Sequence, residues 1–267
     1  MIKINKSFNI IKDALTYPLF NWKKMLVLSV LNLVITLIAI SPELNGNGNL
    51  ILSLITLIVG FILSFLIVGF HVNMIAHTVH GYDKAPNFNC VKDFQNGVGF
   101  VLLSFLYCLI PIVIIVIVAF VTGLLDHILQ IGSFIMKNTI VLVNTSLLPD
   151  ELIANTISRL GITALVSFIV ILFTLSLFYI GLARFASMDN IIKGVDLGTI
   201  INTIDGIGIK LYLIWFIMVL IILLLLIFIN FYLFRFSFLG GLIAILLIVP
   251  YMVMFLSRSI GLIYMEA

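Results

Sequence analysis

Charge is scarce in this chain: fourteen Lys and Arg and eleven Asp and Glu, 9% of 267 residues. A water-facing surface needs roughly a quarter of its residues charged, so most of this surface cannot face water. The net charge of +3 is small and by itself says nothing about nucleic acid, and no such partner is expected. Cysteine is scarcer still, and Cys90 and Cys108 form neither a disulfide framework nor a metal-ligand spacing. Catalytic signatures are missing as well. The sequence holds no His-Glu-x-x-His, no Gly-x-Ser-x-Gly and no glycine-rich phosphate loop. We therefore expect no enzyme and no cofactor.

Apolar residues fill the space left: 63% of the chain is hydrophobic and the mean hydropathy is +1.32. A helix crosses the hydrocarbon core with about 20 apolar residues. Six runs satisfy this: Lys24–Ile40, Leu50–Ala76, Gly97–Leu125, Gly161–Ser187, Lys210–Arg235 and Leu239–Leu262. They are continuously apolar rather than alternating, which favours helices over barrel strands. The fold class expected is all-α and integral membrane: six transmembrane helices in three hairpins, forming one domain over residues 1–267. The first apolar run starts behind a polar segment, so it is expected to be retained rather than cleaved.

Amphipathic stretches precede the odd-numbered spans at Phe8–Leu19, Phe88–Gln95 and Val195–Ile204. We read them as short interfacial helices, the first within an N-terminal segment 1–23. Residues 126–160 read as an external loop with short helices, one starting at Pro149-Asp150-Glu151, where proline and carboxylates suit a helix N-terminus. Asn144-Thr145-Ser146 matches a glycosylation acceptor in that loop.

Basic residues set the orientation. With the N-terminus inside, eleven of the fourteen fall on inner segments, leaving Lys137, Arg159 and Arg235 outside. Short cytoplasmic loops carry this excess, so both termini are expected in the cytoplasm of a cell-membrane protein. Arg184, Arg235 and Arg258 sit near span ends, where long basic side chains snorkel to the headgroups.

Two groups of residues are candidates for chemistry. His77 and His80 lie three apart on one helix face with Asp83 following, a ligand set of the kind zinc takes. The competing reading is ordinary interfacial histidines at a helix end. Pro111 and Pro250 interrupt the third and sixth spans, corresponding positions if the chain is two inverted halves. Such breaks point to a transport site, against the plainer reading of common proline kinks re-satisfied by neighbours.

The stretch Tyr17-Pro18 leading to Asn21-Trp22-Lys23-Lys24, then Gly69-Phe70, Gly81-Tyr82-Asp83-Lys84-Ala85-Pro86-Asn87-Phe88 and Gly97, resembles an uncharacterised prokaryotic, mostly archaeal, family of multi-pass membrane proteins catalogued as domain of unknown function 4013. The resemblance is closest over about the first 110 residues and architectural beyond. It implies a helical membrane fold and no reaction. Many members of that family carry a basic residue near the position of Asn73, and this chain does not. The expected role is non-enzymatic, through contacts with membrane lipids, a protein partner or a second copy of the chain. A small-solute or lipid transporter and a membrane-embedded enzyme acting on lipids are the alternatives.

Overall fold

The computed structural model describes residues 2–44, 50–137 and 150–267. They form α1 (Ile2–Phe20), α2 (Trp22–Leu44), α3 (Leu50–Val79), α4 (Cys90–Val121), α5 (Leu124–Lys137), α6 (Asp150–Met188), α7 (Ile191–Val195), α8 (Leu197–Ile207), α9 (Ile209–Phe236), α10 (Phe238–Ile243) and α11 (Val249–Tyr264). A π-helical turn, Ala244–Ile248, joins the last two. Among the described residues no strand occurs. Six segments are long and apolar enough to cross a membrane: α2, α3, α4, α6, α9 and the composite Phe238–Tyr264. The chain is a multi-pass, all-α membrane protein.

The chain packs as two compact units, Met1–Leu103 with Tyr179–Ala267, and Ser104–Phe178. In the first, α11 packs on α3 and α1, α2 packs on α3, and α1 packs on α9. The stretch Phe8–Leu19 lies within α1, whose Ile10, Ile11, Ala14 and Tyr17 are buried while Phe8 and Leu19 stay exposed. Tyr17, Leu28, Phe70, Met74 and Met254 form a shared core.

Backbone contact between α3 and α4 is made at glycines. A methyl on Gly69 would collide with the Asp93 carbonyl oxygen, and one on Gly97 with that of Phe65. Small residues matter here because helices in lipid gain nothing from hydrophobic exclusion and associate by close packing. Gly261 does the same for α11, where an added Cβ would meet that of Thr78 at 2.5 Å.

Pro250 explains the π turn and one interhelical bond. Having no N–H, it leaves the Leu246 carbonyl without its usual intrahelical donor. The buried Ser29 hydroxyl of α2 donates to that carbonyl. Bonds of this sort between membrane helices average roughly 0.6 kcal/mol.

Several sequence expectations change. Phe88–Gln95 is no separate interfacial helix, because Cys90 onward is the first turn of α4. Asn89 caps that turn, accepting from the Lys92 N–H at 3.2 Å, and the Asp93 carboxylate accepts from the Asn89 N–H at 2.7 Å. The segment from Asp150 likewise runs unbroken into α6, since no proline intervenes. α5 is separate, after a turn at Gly123 with φ 68°. Val195–Ile204 falls across α7 and α8. Asp196 caps α8, accepting from the Thr199 N–H at 3.3 Å, and the Thr199 side chain and then this N–H hold its carboxyl below the usual range. Asn144 lies outside the described residues.

Gly69→Ala is expected to destabilise the protein by about 1–3 kcal/mol, the cost of overpacking a tight contact. Gly132→Ala in α5, with nothing near the added methyl, should leave stability unchanged or slightly raised. Thermal unfolding of both variants in detergent checks the contrast.

Candidate functional site

The polar side chains of the first unit gather where α1, the 80–89 loop and the last turns of α11 meet. Arg258 is buried, and its guanidinium donates to Asp13 Oδ1 at 3.0 Å, Asp83 Oδ1 at 2.9 Å and the Tyr82 carbonyl at 2.8 Å. It also lies 5.1 Å from the Tyr17 ring centroid, a cation–π distance. Lys6 and Glu266 pair as well, so the two ends of the chain lie on one side of the unit. The sequence places Arg258 among the snorkelling residues; it turns inward instead because carboxylates and a carbonyl meet its fork. Arg184 is buried too, donating to the Lys193 carbonyl at 3.1 Å and Thr203 Oγ1 at 3.3 Å. Arg235 remains exposed.

Asp93, buried in the first turn of α4, accepts from Asn73 Nδ2. Asn96 Nδ2 donates in turn to Asn73 Oδ1 at 2.7 Å. Asn73 thus meets the carboxylate with an amide donor and brings no charge to it. His71 Nδ1 lies 2.6 Å from Ser257 Oγ, whose own proton goes to the Val253 carbonyl at 2.7 Å. The hydroxyl therefore accepts, which puts the His71 proton on Nδ1. Trp215 Nε1 donates to Ser259 Oγ at 2.8 Å.

His77 and His80 line a cavity of about 330 Å³ with Asn73, Asn87, Asn89, Lys92, Asn96 and Asp189. Each histidine points Nδ1 at a carbonyl, His77 at Lys84 (3.0 Å) and His80 at Ala76 (2.6 Å). A carbonyl only accepts, so both rings carry the proton on Nδ1 and keep Nε2 for another partner. Asp83 does not join them, because it is taken by Arg258. Among the described residues, no three His, Cys, Asp or Glu gather closely enough to hold a metal ion.

The second unit holds a different cavity, about 440 Å³, lined by Tyr107, Cys108, Pro111, Ile115, Ile171 and Phe178, with Ser104 and Thr174 among its few polar groups. Thr174 gives its proton to the Val170 carbonyl at 2.9 Å. Pro111 lies on this groove. Pro250, in the first unit, is buried behind its π turn. Near Gly123, Arg159 donates to the Thr122 carbonyl, and the Thr122 and Thr163 hydroxyls are 3.3 Å apart.

Sequence reading missed the Asp93–Asn73–Asn96 ladder and the part played by Tyr17. Asp93 carried a signal, being an acid four residues after an asparagine at a helix start. Tyr17 carried none.

The Tyr17 hydroxyl is buried with no hydrogen-bond partner, and burial pushes its pKa up to about 12 against the opposing pull of Arg258. A raised folded-state value contributes stability below the unfolded value near 10, lost as pH rises through the folded one. Tyr17→Phe should leave stability at pH 7 unchanged or raised by up to about 1 kcal/mol, since it removes an unpaired polar group. Between about pH 10 and 12 the wild type should lose more stability than the variant. Thermal unfolding in detergent at pH 7 and pH 11 reads both effects.

No curated protein and no solved structure matches this chain. A family model, described as protein of unknown function (DUF4013), matches residues 51–235. Gly69-Phe70, the Gly81–Phe88 loop and Gly97 fall inside that match, while Tyr17-Pro18 and Trp22-Lys23-Lys24 precede it. With α3 to α9 covered by the match, the chain belongs to the DUF4013 family.

Proposed function

We propose that this is a non-enzymatic protein of the cell membrane that works through lipid contacts, with both termini in the cytoplasm. The groove of the second unit carries this reading. It is a cavity of about 440 Å³ lined mostly by apolar groups, Ile112 among them, and flanked by exposed Leu106 and Val116 of the same helix. A concave apolar surface at membrane depth suits an acyl chain, which gains dispersion contacts there without any polar partner. Pro111 helps to shape it: its missing N–H deprives the Tyr107 carbonyl of a helical donor and its ring pushes the turn outward. The lysine and arginine bias supports the cytoplasmic orientation.

Transport is the second reading, favoured by a proline in each of the third and sixth spans, although α4 runs unbroken through Pro111 and only Pro250 adjoins an interruption, its π turn. The native cysteines separate the two. Cys108 lines the groove and Cys90 is exposed at the start of α4. Thiolate, not thiol, reacts with methanethiosulfonates, and thiolate needs water. In a Cys90→Ser variant, Cys108 should resist a charged methanethiosulfonate from both sides of the membrane. Rapid labelling by the charged reagent would instead favour a water-filled transport path. In a Cys108→Ser variant, Cys90 should label with the charged reagent in inside-out vesicles and not in intact cells. The reverse pattern would overturn the orientation.

A further inference from the structure

The cavity of the first unit has an unusual charge inventory. Lys92 and Asp189 both line it, and neither belongs to the ion pairs of the described residues, which are Lys6–Glu266 and Arg258 with Asp13 and Asp83. Their charges are not consumed by the fold, in contrast to those of Arg258 and Arg184. Around them stand hydrogen-bonding groups with capacity left over. Asn87 gives its Oδ1 to Lys24 Nζ at 2.7 Å and Asn89 gives its Oδ1 to the Lys92 N–H at 3.2 Å. Both therefore keep amide N–H donors. His77 and His80 commit Nδ1 to backbone carbonyls and keep Nε2 lone pairs. The buried pair Asn73 and Asn96, tied to each other and to Asp93, lines the same space and holds it rigidly.

The complement of this lining is a ligand with two separated charges. An anionic group with several oxygens matches Lys92 and the amides of Asn87 and Asn89. A protonated amine matches the Asp189 carboxylate and the Nε2 acceptors. The location narrows the ligand further. The lining comes from the 80–89 loop, the C-terminal ends of α3 and α6 and the first turns of α4, at the ends of three membrane spans, which is headgroup depth. We propose that this cavity binds the headgroup of an amine-bearing phospholipid, a phosphate diester joined to a primary ammonium. The volume of about 330 Å³ is at the lower end of small-ligand pockets and suits a headgroup rather than a whole lipid. This site is independent of the acyl groove and of Pro111.

Two substitutions test the two ends without disturbing the fold. Asp189 has φ 50°, a left-handed conformation that asparagine tolerates as well as aspartate. Asp189→Asn thus removes the charge and keeps the backbone. Lys92→Gln keeps the stem on an exposed position. The protein would be reconstituted in nanodiscs holding equal phosphatidylethanolamine and phosphatidylglycerol, and retained lipid counted by native mass spectrometry. The wild type should retain the ethanolamine lipid at least about fivefold over the glycerol lipid, the effect of roughly 1 kcal/mol. Asp189→Asn should erase that preference, and Lys92→Gln should lower retention of both lipids. Equal retention by the wild type, or retention indifferent to both substitutions in variants that unfold at the wild-type temperature, would overturn the site. Soluble O-phosphoethanolamine gives a second arm. Displacement of the lipid only at large excess supports the membrane source, whereas equal competition would overturn that source and leave a soluble phosphate-amine as the ligand.

Discussion

Arg258 is the constraint on which the first unit depends. A guanidinium placed in the last membrane-spanning helix is costly unless its donors are met, because stripping water from an ion costs several kcal/mol even after relaxation. Its fork is met from two directions. Asp13 comes from α1 and the Asp83 carboxylate and Tyr82 carbonyl come from the loop before α4. That one side chain therefore ties the N-terminal helix, the 80–89 loop and the final helix together across 245 residues of sequence. Tyr17 closes the face of the guanidinium. Lys6 with Glu266 repeats the tie at lower cost, since Lys6 is half-exposed and such a pair is worth under about 1 kcal/mol.

The rest of the unit treats its polar groups in the same way. Where a helix turn lacks a donor, a neighbour provides one, as Ser29 does at Leu246. Where a carboxylate is buried, amides rather than cations meet it, as Asn73 and the Asn89 N–H do for Asp93. Apolar packing contributes little to specificity here, because lipid tails are as apolar as leucine. Glycine takes over that task, bringing α4 against α3 at Gly69 and Gly97 and α11 against α3 at Gly261. The charges of Lys92 and Asp189 and the Nε2 lone pairs of His77 and His80, which serve none of these ties, surround a single cavity.

The spans were legible in the sequence because continuous apolar length has one physical meaning, and all six runs became helices. Their ends were less legible. Phe88–Gln95 and the stretch after Asp150 read as separate surface helices by composition, yet nothing in either breaks a helix, so each joined the span that follows. The glycines quoted in the family resemblance turned out to carry the α3–α4 crossing, which sequence could flag but not explain. Arg258 shows the limit most clearly. Position alone suggested a side chain reaching for headgroups, because its partners lie 175 and 245 residues away and no local pattern announces them. His77 and His80 line one cavity, but the acid nearest in sequence, Asp83, serves Arg258, and the acid that shares their cavity is Asp189, far along the chain at the end of α6.

The most direct test of this account is a double-mutant cycle on Arg258→Gln and Asp13→Asn, read by thermal unfolding in detergent. Arg258→Gln alone should cost about 3 kcal/mol, as loss of one partner in a buried pair does. If the two residues act as one unit, the double variant should be no less stable than Arg258→Gln by itself, a coupling above about 1 kcal/mol. Costs that simply add would contradict the account, showing that Arg258 is held by something other than the N-terminal helix.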